Sequence, residues 1–192
     1  MSKLLWRDAL TNMIGATARR IIGDTGGFAA VEFAMTVPIM IMMLLGCVEI
    51  SDALSVDKRI NIVAGSISDL VARTTPVTPR DLKDIFALGE VLIGKYSPSN
   101  LYSEVVSLEP DPATGAMKVA WSMNSRGAAP YHPGDTYPGS WDGMADAPNS
   151  LIIAKTTYVY TSAIGKFIHG PITMSHITSN VSRISAVKCP AC

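Results

Sequence analysis

Three sets of residues in this chain are of types that do chemistry. The first is Gly26-Gly27-Phe28-Ala29-Ala30-Val31-Glu32, where two glycines precede a carboxylate at the head of a run, Ala34 to Val48, that carries no charge. Paired glycines let an extended backbone enter a narrow site without a side-chain clash. An acid in low dielectric is costly unless it meets an opposite charge, so Glu32 calls for a cationic partner. The second set is Cys189-Pro190-Ala191-Cys192, a spacing that suits a local disulfide on an oxidising side of a membrane. A catalytic redox pair usually opens a helix, whose dipole lowers the thiol pKa. This pair ends the chain, so a structural or intermolecular disulfide is expected. The third set is His132, His169 and His176, none of which sits in a ligand pattern such as His-Glu-x-x-His. Gly170-Pro171 opposes the helix that would bring His169 and His176 to one face. No metal, cofactor or catalytic centre is expected from them.

The elements that position these residues begin with the apolar run. Phe28 to Ile50 is 23 residues, about 34 Å of helix against a bilayer core of about 30 Å. Lys3, Arg7, Arg19 and Arg20 precede it, whereas Glu49, Asp52 and Asp57 follow it before Lys58. By the positive-inside rule residues 1–27 are a cytoplasmic leader and everything after the run is exported. Pro38 lies within the run, where a lost backbone donor predicts a kink or local loosening.

Beyond the membrane span, Ala53, Val56, Ile60, Val63, Ile67 and Leu70 recur at spacings of three and four. They predict one long helix from about 28 to about 73, its 51–75 portion an amphipathic stem whose stripe needs a covering partner. Thr74-Thr75-Pro76 ends it. Thr78-Pro79-Arg80-Asp81 then carries a cap, a first-turn proline and a first-turn acid, predicting a short helix to about Gly94.

After Pro98 the period changes to two. Met117, Val119, Trp121 and Met123 alternate with Lys118, Ala120, Ser122 and Asn124, as in a half-buried strand. Tyr102 to Leu108 is its expected partner, through a turn at Pro110 to Gly115. Leu151 to Thr161 and Ile177 to Lys188 complete an antiparallel sheet of about four strands. Residues 125–150, rich in glycine and proline, read as a long surface loop. Trp121, Trp141, Tyr131 and Tyr137 have the composition of a carbohydrate platform, although packing is the plainer use of such rings in a small domain. The whole is an α+β chain: leader 1–27, transmembrane helix 28–50, stem 51–75 and exported domain 76–192. A formal net charge of zero and the absence of a basic stripe beyond the leader exclude nucleic-acid binding by counterion release.

From Gly26 through Pro38, then Leu44-Leu45-Gly46-Cys47-Val48-Glu49-Ile50 and the helical stretch to Arg73, the chain resembles a TadE-family protein, with Gly27-Phe28 similar to a type IV prepilin leader junction. Lys155-Thr156-Thr157-Tyr158-Val159-Tyr160 and Arg183 are similar to the family's extended segments. The resemblance implies a non-enzymatic minor pseudopilin of a tight-adherence pilus, cut after Gly27 by a prepilin peptidase. Other pilins and an inner-membrane assembly platform are its implied partners. Glu32 would then pair with the new amino group on Phe28 of a neighbouring subunit, and Pro38 would help subunits pack. Cys47 stands where the family usually has an aliphatic residue, and Leu44-Leu45-Gly46-Cys47 resembles a lipobox. A periplasmic lipoprotein acylated at Cys47, or an uncleaved membrane-anchored surface protein, is the alternative.

Overall fold

A computed structural model describes residues 25–162, 164–165 and 170–192. The four leader bases, most of the leader and His169 lie outside them. Compactness divides the chain between Val48 and Glu49.

Helix α1 spans Thr25–Arg73 and is continuous through Pro38. It starts a few residues before the expected point and takes in Gly26 and Gly27, because glycine lowers helix propensity by about 1 kcal/mol without blocking a helix. Its stop is as expected: Arg73 pairs with Asp69 one turn back at 2.7 Å, and Thr74-Thr75-Pro76 follows. Helix α2, Pro79–Leu92, opens on a capping box in which the Asp81 amide donates to the Thr78 hydroxyl and the Thr78 amide to the Asp81 carboxylate. Arg59 of α1 donates to the Leu92 carbonyl at the far end, where a cation complements the helix dipole. The two helices come close at Gly89. A Cβ there would stand 3.1 Å from Val63 Cγ1 and 3.4 Å from Ile67 Cδ1.

Four antiparallel strands follow in the order β2-β1-β3-β4: β1 Leu101–Pro110, β2 Met117–Asn124, β3 Leu151–Tyr160 and β4 Ile172–Val181. One face packs on the helices. Val63, Ile67 and Val71 of α1 and Leu82 and Phe86 of α2 meet Val105, Trp121, Met123, Ile152 and Ala154. Further along, Val56 and Ile60 meet Ile93, Tyr158 and Tyr160. The stripe on the stem therefore finds its cover inside its own chain.

The other face carries a second core, Val106, Leu108, Met117, Val119, Leu151 and Ile153, closed by Tyr137 and Ala145 from the 125–150 segment. That segment was expected at the surface, and much of it is exposed. Its aromatic residues are what bring it down: Tyr137 is buried, with Tyr131 and Trp141 packed edge-on or tilted against it. The same segment seals the outer edge of β2. The Val119 amide donates to the Asp135 carbonyl, and the Gly134 amide to the Val119 carbonyl.

Two expectations give way to a register effect and to a change of hydrogen-bond partners. In β2 the pairing with β1 slips between Ser107 and Leu108, which face Trp121 and Val119, leaving Ala120 as an extra residue. A one-residue bulge reverses the alternation, so Met117 and Val119 enter one core while Trp121 and Met123 enter the other. The four aromatic residues of the supposed platform are thereby split between opposite faces. The last strand ends at Val181, not at Lys188. From Ser182 the chain leaves the ladder, because its amides find other carbonyls: Ser182 donates to Ser150, Arg183 to Ala72 and Ala186 to Pro148. The result is a strap that caps one end of the sheet.

Candidate functional site: an apolar helix and its polar clasps

Gly27, Phe28, Glu32 and Pro38 all lie on the exposed first half of α1. A Cβ at Gly27 would meet nothing within 4 Å, so nothing in this fold demands glycine there. Phe28 is 77 % exposed. Among the described residues no hydrogen bond or ion pair reaches the Glu32 carboxylate; its carbonyl accepts a bond from the Thr36 hydroxyl at 2.5 Å. Val31, Phe33, Met35, Ile39, Met40, Ile41, Met42, Met43 and Leu44 are also exposed. Cys47 is a free, exposed thiol in mid-helix.

From Glu49 onward the same helix is polar in a different way. Glu49 is buried. Asp52 accepts from Lys95 Nζ at 2.8 Å, from the Tyr96 hydroxyl at 2.8 Å and from the Tyr160 hydroxyl at 3.2 Å. The Lys95 hydrogen bond, joined by those of the two phenols, holds the Asp52 carboxyl below its ordinary range against the opposing effect of burial. Burial first, and then Asp52 itself, push both phenols up. His176 Nε2 stands 2.8 Å from Asp57. Ser68 accepts from the Asn180 amide group at 2.7 Å, and Asp69 holds Arg183 at 3.2 Å. These clasps tie residues 52–69 of the helix to the turn after α2, to β3 and β4 and to the strap.

None of the clasps was expected from sequence. Their partners lie between 43 and 119 residues apart, and no local spacing announces such pairs. The one available signal was an unusual density of acids after the apolar run. Among the described residues no group of three or more His, Cys, Asp or Glu could hold a metal ion. His132 is exposed, near Asp135. Cys189 and Cys192 are joined as a disulfide, with Cα atoms 5.5 Å apart.

Helix α1 is long and apolar enough to cross a membrane, with a mean hydropathy of 2.1 over its most apolar window, and fits a single-pass anchor. No curated protein and no solved structure matches the chain. Residues 27–64, from the exposed head of α1 into its buried half, are similar to the family described as TadE-like protein.

Proposed function

We propose that the chain is a pseudopilin-like subunit of a tight-adherence pilus system, held in the bacterial inner membrane by residues 28–50. The leader 1–27 stays in the cytoplasm, and the stem 51–75 with the domain 76–192 lies in the periplasm. The observation that carries this reading is the family match over a helix whose first half is exposed. Apolar surface of that extent needs lipid or other helices around it. The packing surface offered to other pilins and to the assembly platform is the 28–50 segment, because the stripe from Val56 to Val71 is already buried. The chain acts by interaction and carries out no reaction of its own. A prepilin peptidase cuts after Gly27, and Glu32 then neutralises the amino group of Phe28 on a neighbouring subunit.

Mass spectrometry of the native amino terminus tests it. A start at Phe28 supports the pseudopilin, a start at an acylated Cys47 replaces it with a lipoprotein, and an intact leader replaces it with a plain anchored surface protein. Gly27→Trp sharpens the result. It should abolish processing while leaving membrane insertion intact, since the apolar run is untouched. Processing of that variant at the same bond would remove the main support for the reading.

A further inference from the structure

We infer that the Cys189–Cys192 disulfide is an exchange site for a protein dithiol, one of the thiol–disulfide oxidoreductases, and that the fold does not depend on it. The bond spans a sequence separation of three, so it restricts the unfolded chain less than a longer bridge would. What holds the strap is upstream of the bond. Val187 is wholly buried, its carbonyl accepts from Trp121 Nε1 at 2.6 Å, and its amide donates to the Ser150 hydroxyl at 2.9 Å. The Val77 amide donates to the Lys188 carbonyl at 3.0 Å. The strap's backbone hydrogen bonds to the body thus end one residue before Cys189.

The two sulfurs have unequal surroundings. Cys189 is half-buried against the core that holds Trp121, whereas Cys192 is exposed. Beside Cys189 lies a groove of about 360 Å³ lined also by Glu109, Ala120, Trp121, Lys188 and Pro190. Its apolar walls suit a side chain flanking an attacking thiol, and the Lys188 ammonium favours a thiolate nearby, with Glu109 as the opposing charge.

Access then decides which sulfur reacts. A thiolate of the partner attacks Cys192 Sγ, a partner–Cys192 disulfide forms, and the Cys189–Cys192 bond breaks with its electron pair passing to Cys189 Sγ. The partner's second thiolate attacks its own first sulfur, which releases Cys192. Two electrons pass from the dithiol to this disulfide, the partner ends oxidised, and Cys189 and Cys192 each take up a proton.

The test uses the full chain in detergent and a thioredoxin whose second active-site cysteine is replaced by serine, so that the mixed disulfide is trapped. Peptide mass spectrometry should place the adduct on Cys192 in the folded protein. Reduction by dithiothreitol should leave the cooperative thermal transition within a few degrees of its starting point, while Val187→Ala, which removes the true anchor, should lower it clearly. An adduct on Cys189, an adduct that forms only in denaturant, loss of the transition on reduction, or a Val187→Ala protein as stable as wild type would each overturn the inference. Pilus assembly plays no part in these readouts, so the outcome is separate from that of the pseudopilin reading.

Discussion

Two carboxylates on one helix have opposite situations. Asp52 is surrounded by its donors, whereas Glu32 has none within the described chain. For Asp52 the folded pKa lies below the ordinary value of 3.8. Its contribution to stability is therefore present above that value and lost as pH falls through the folded pKa. Asp52→Asn should flatten the acid side of a melting-temperature profile below about pH 4 while leaving the neutral plateau cooperative. The limb should not vanish, because Asp69, Asp81 and Asp111 are also held low by their own hydrogen bonds. An unchanged limb would mean the Lys95 and tyrosine contacts do not persist in solution. Glu32→Ala should act elsewhere: insertion, leader removal and the melting temperature stay as in wild type, while co-purification with pilus components falls several-fold. An ion pair at a membrane interface can approach break-even after desolvation, yet an amino terminus left unpaired among helices remains costly. Wild-type co-purification would reduce Glu32 to a polar end of an anchor.

Elements with local signals were legible, and those set by distant partners were not. Thr78-Pro79-Arg80-Asp81 announced α2 because capping is a matter of three or four residues. Val56, Ile60, Val63 and Ile67 announced a buried face, but not the sheet that buries it. The bulge in β2 had no signal at all. Met117, Val119, Trp121 and Met123 alternate without a break, and only the presence of cores on both faces of the sheet makes a phase reversal necessary. Ile184 and Val187 looked like strand residues because β-propensity is judged residue by residue. The amides of neighbouring Ser182, Arg183 and Ala186 go to the Ser150, Ala72 and Pro148 carbonyls, and Val187 bonds the Ser150 hydroxyl and the Trp121 indole, so no ladder forms. Deleting Ala120 tests the reversal. Without the extra residue, either Met117 and Val119 or Trp121 and Met123 must leave their core. Losing large buried side chains at about 2–5 kcal/mol each exceeds much of a stability of about 5–15 kcal/mol. The deletion protein should lose its near-ultraviolet dichroism and its cooperative transition, whereas Ala120→Ser should keep both.

At the scale of the molecule, the division at Val48 and Glu49 separates a surface that needs company from a fold that has supplied its own. On the proposed reading, the charge order along the sequence predicts that the second part lies outside the cytoplasm. A phosphatase reporter fused after Arg73 should be active, and a cytoplasm-dependent reporter at the same position should be silent. The reverse pattern would invert the orientation and move Gly27 out of reach of a cytoplasmic-face peptidase. What sequence could not disclose at this scale is how much of α1 is already covered, since that depends on contacts with α2 and the sheet.

Helix α1 also has a mechanical meaning. A tether usually ends where a domain begins, so that tension on it is relieved by a hinge. Here the residues that follow Ile50 are themselves a helix of the domain's core. Within the domain that helix is held by Val56, Ile60, Val63 and Ile67 in its cores and by the Asp52, Asp57 and Asp69 clasps. A fragment cut at residue 76 would discard this member and uncover part of the face that carries Trp121, Ile152 and Tyr158. One cut at Glu49 keeps the member and loses only the rope.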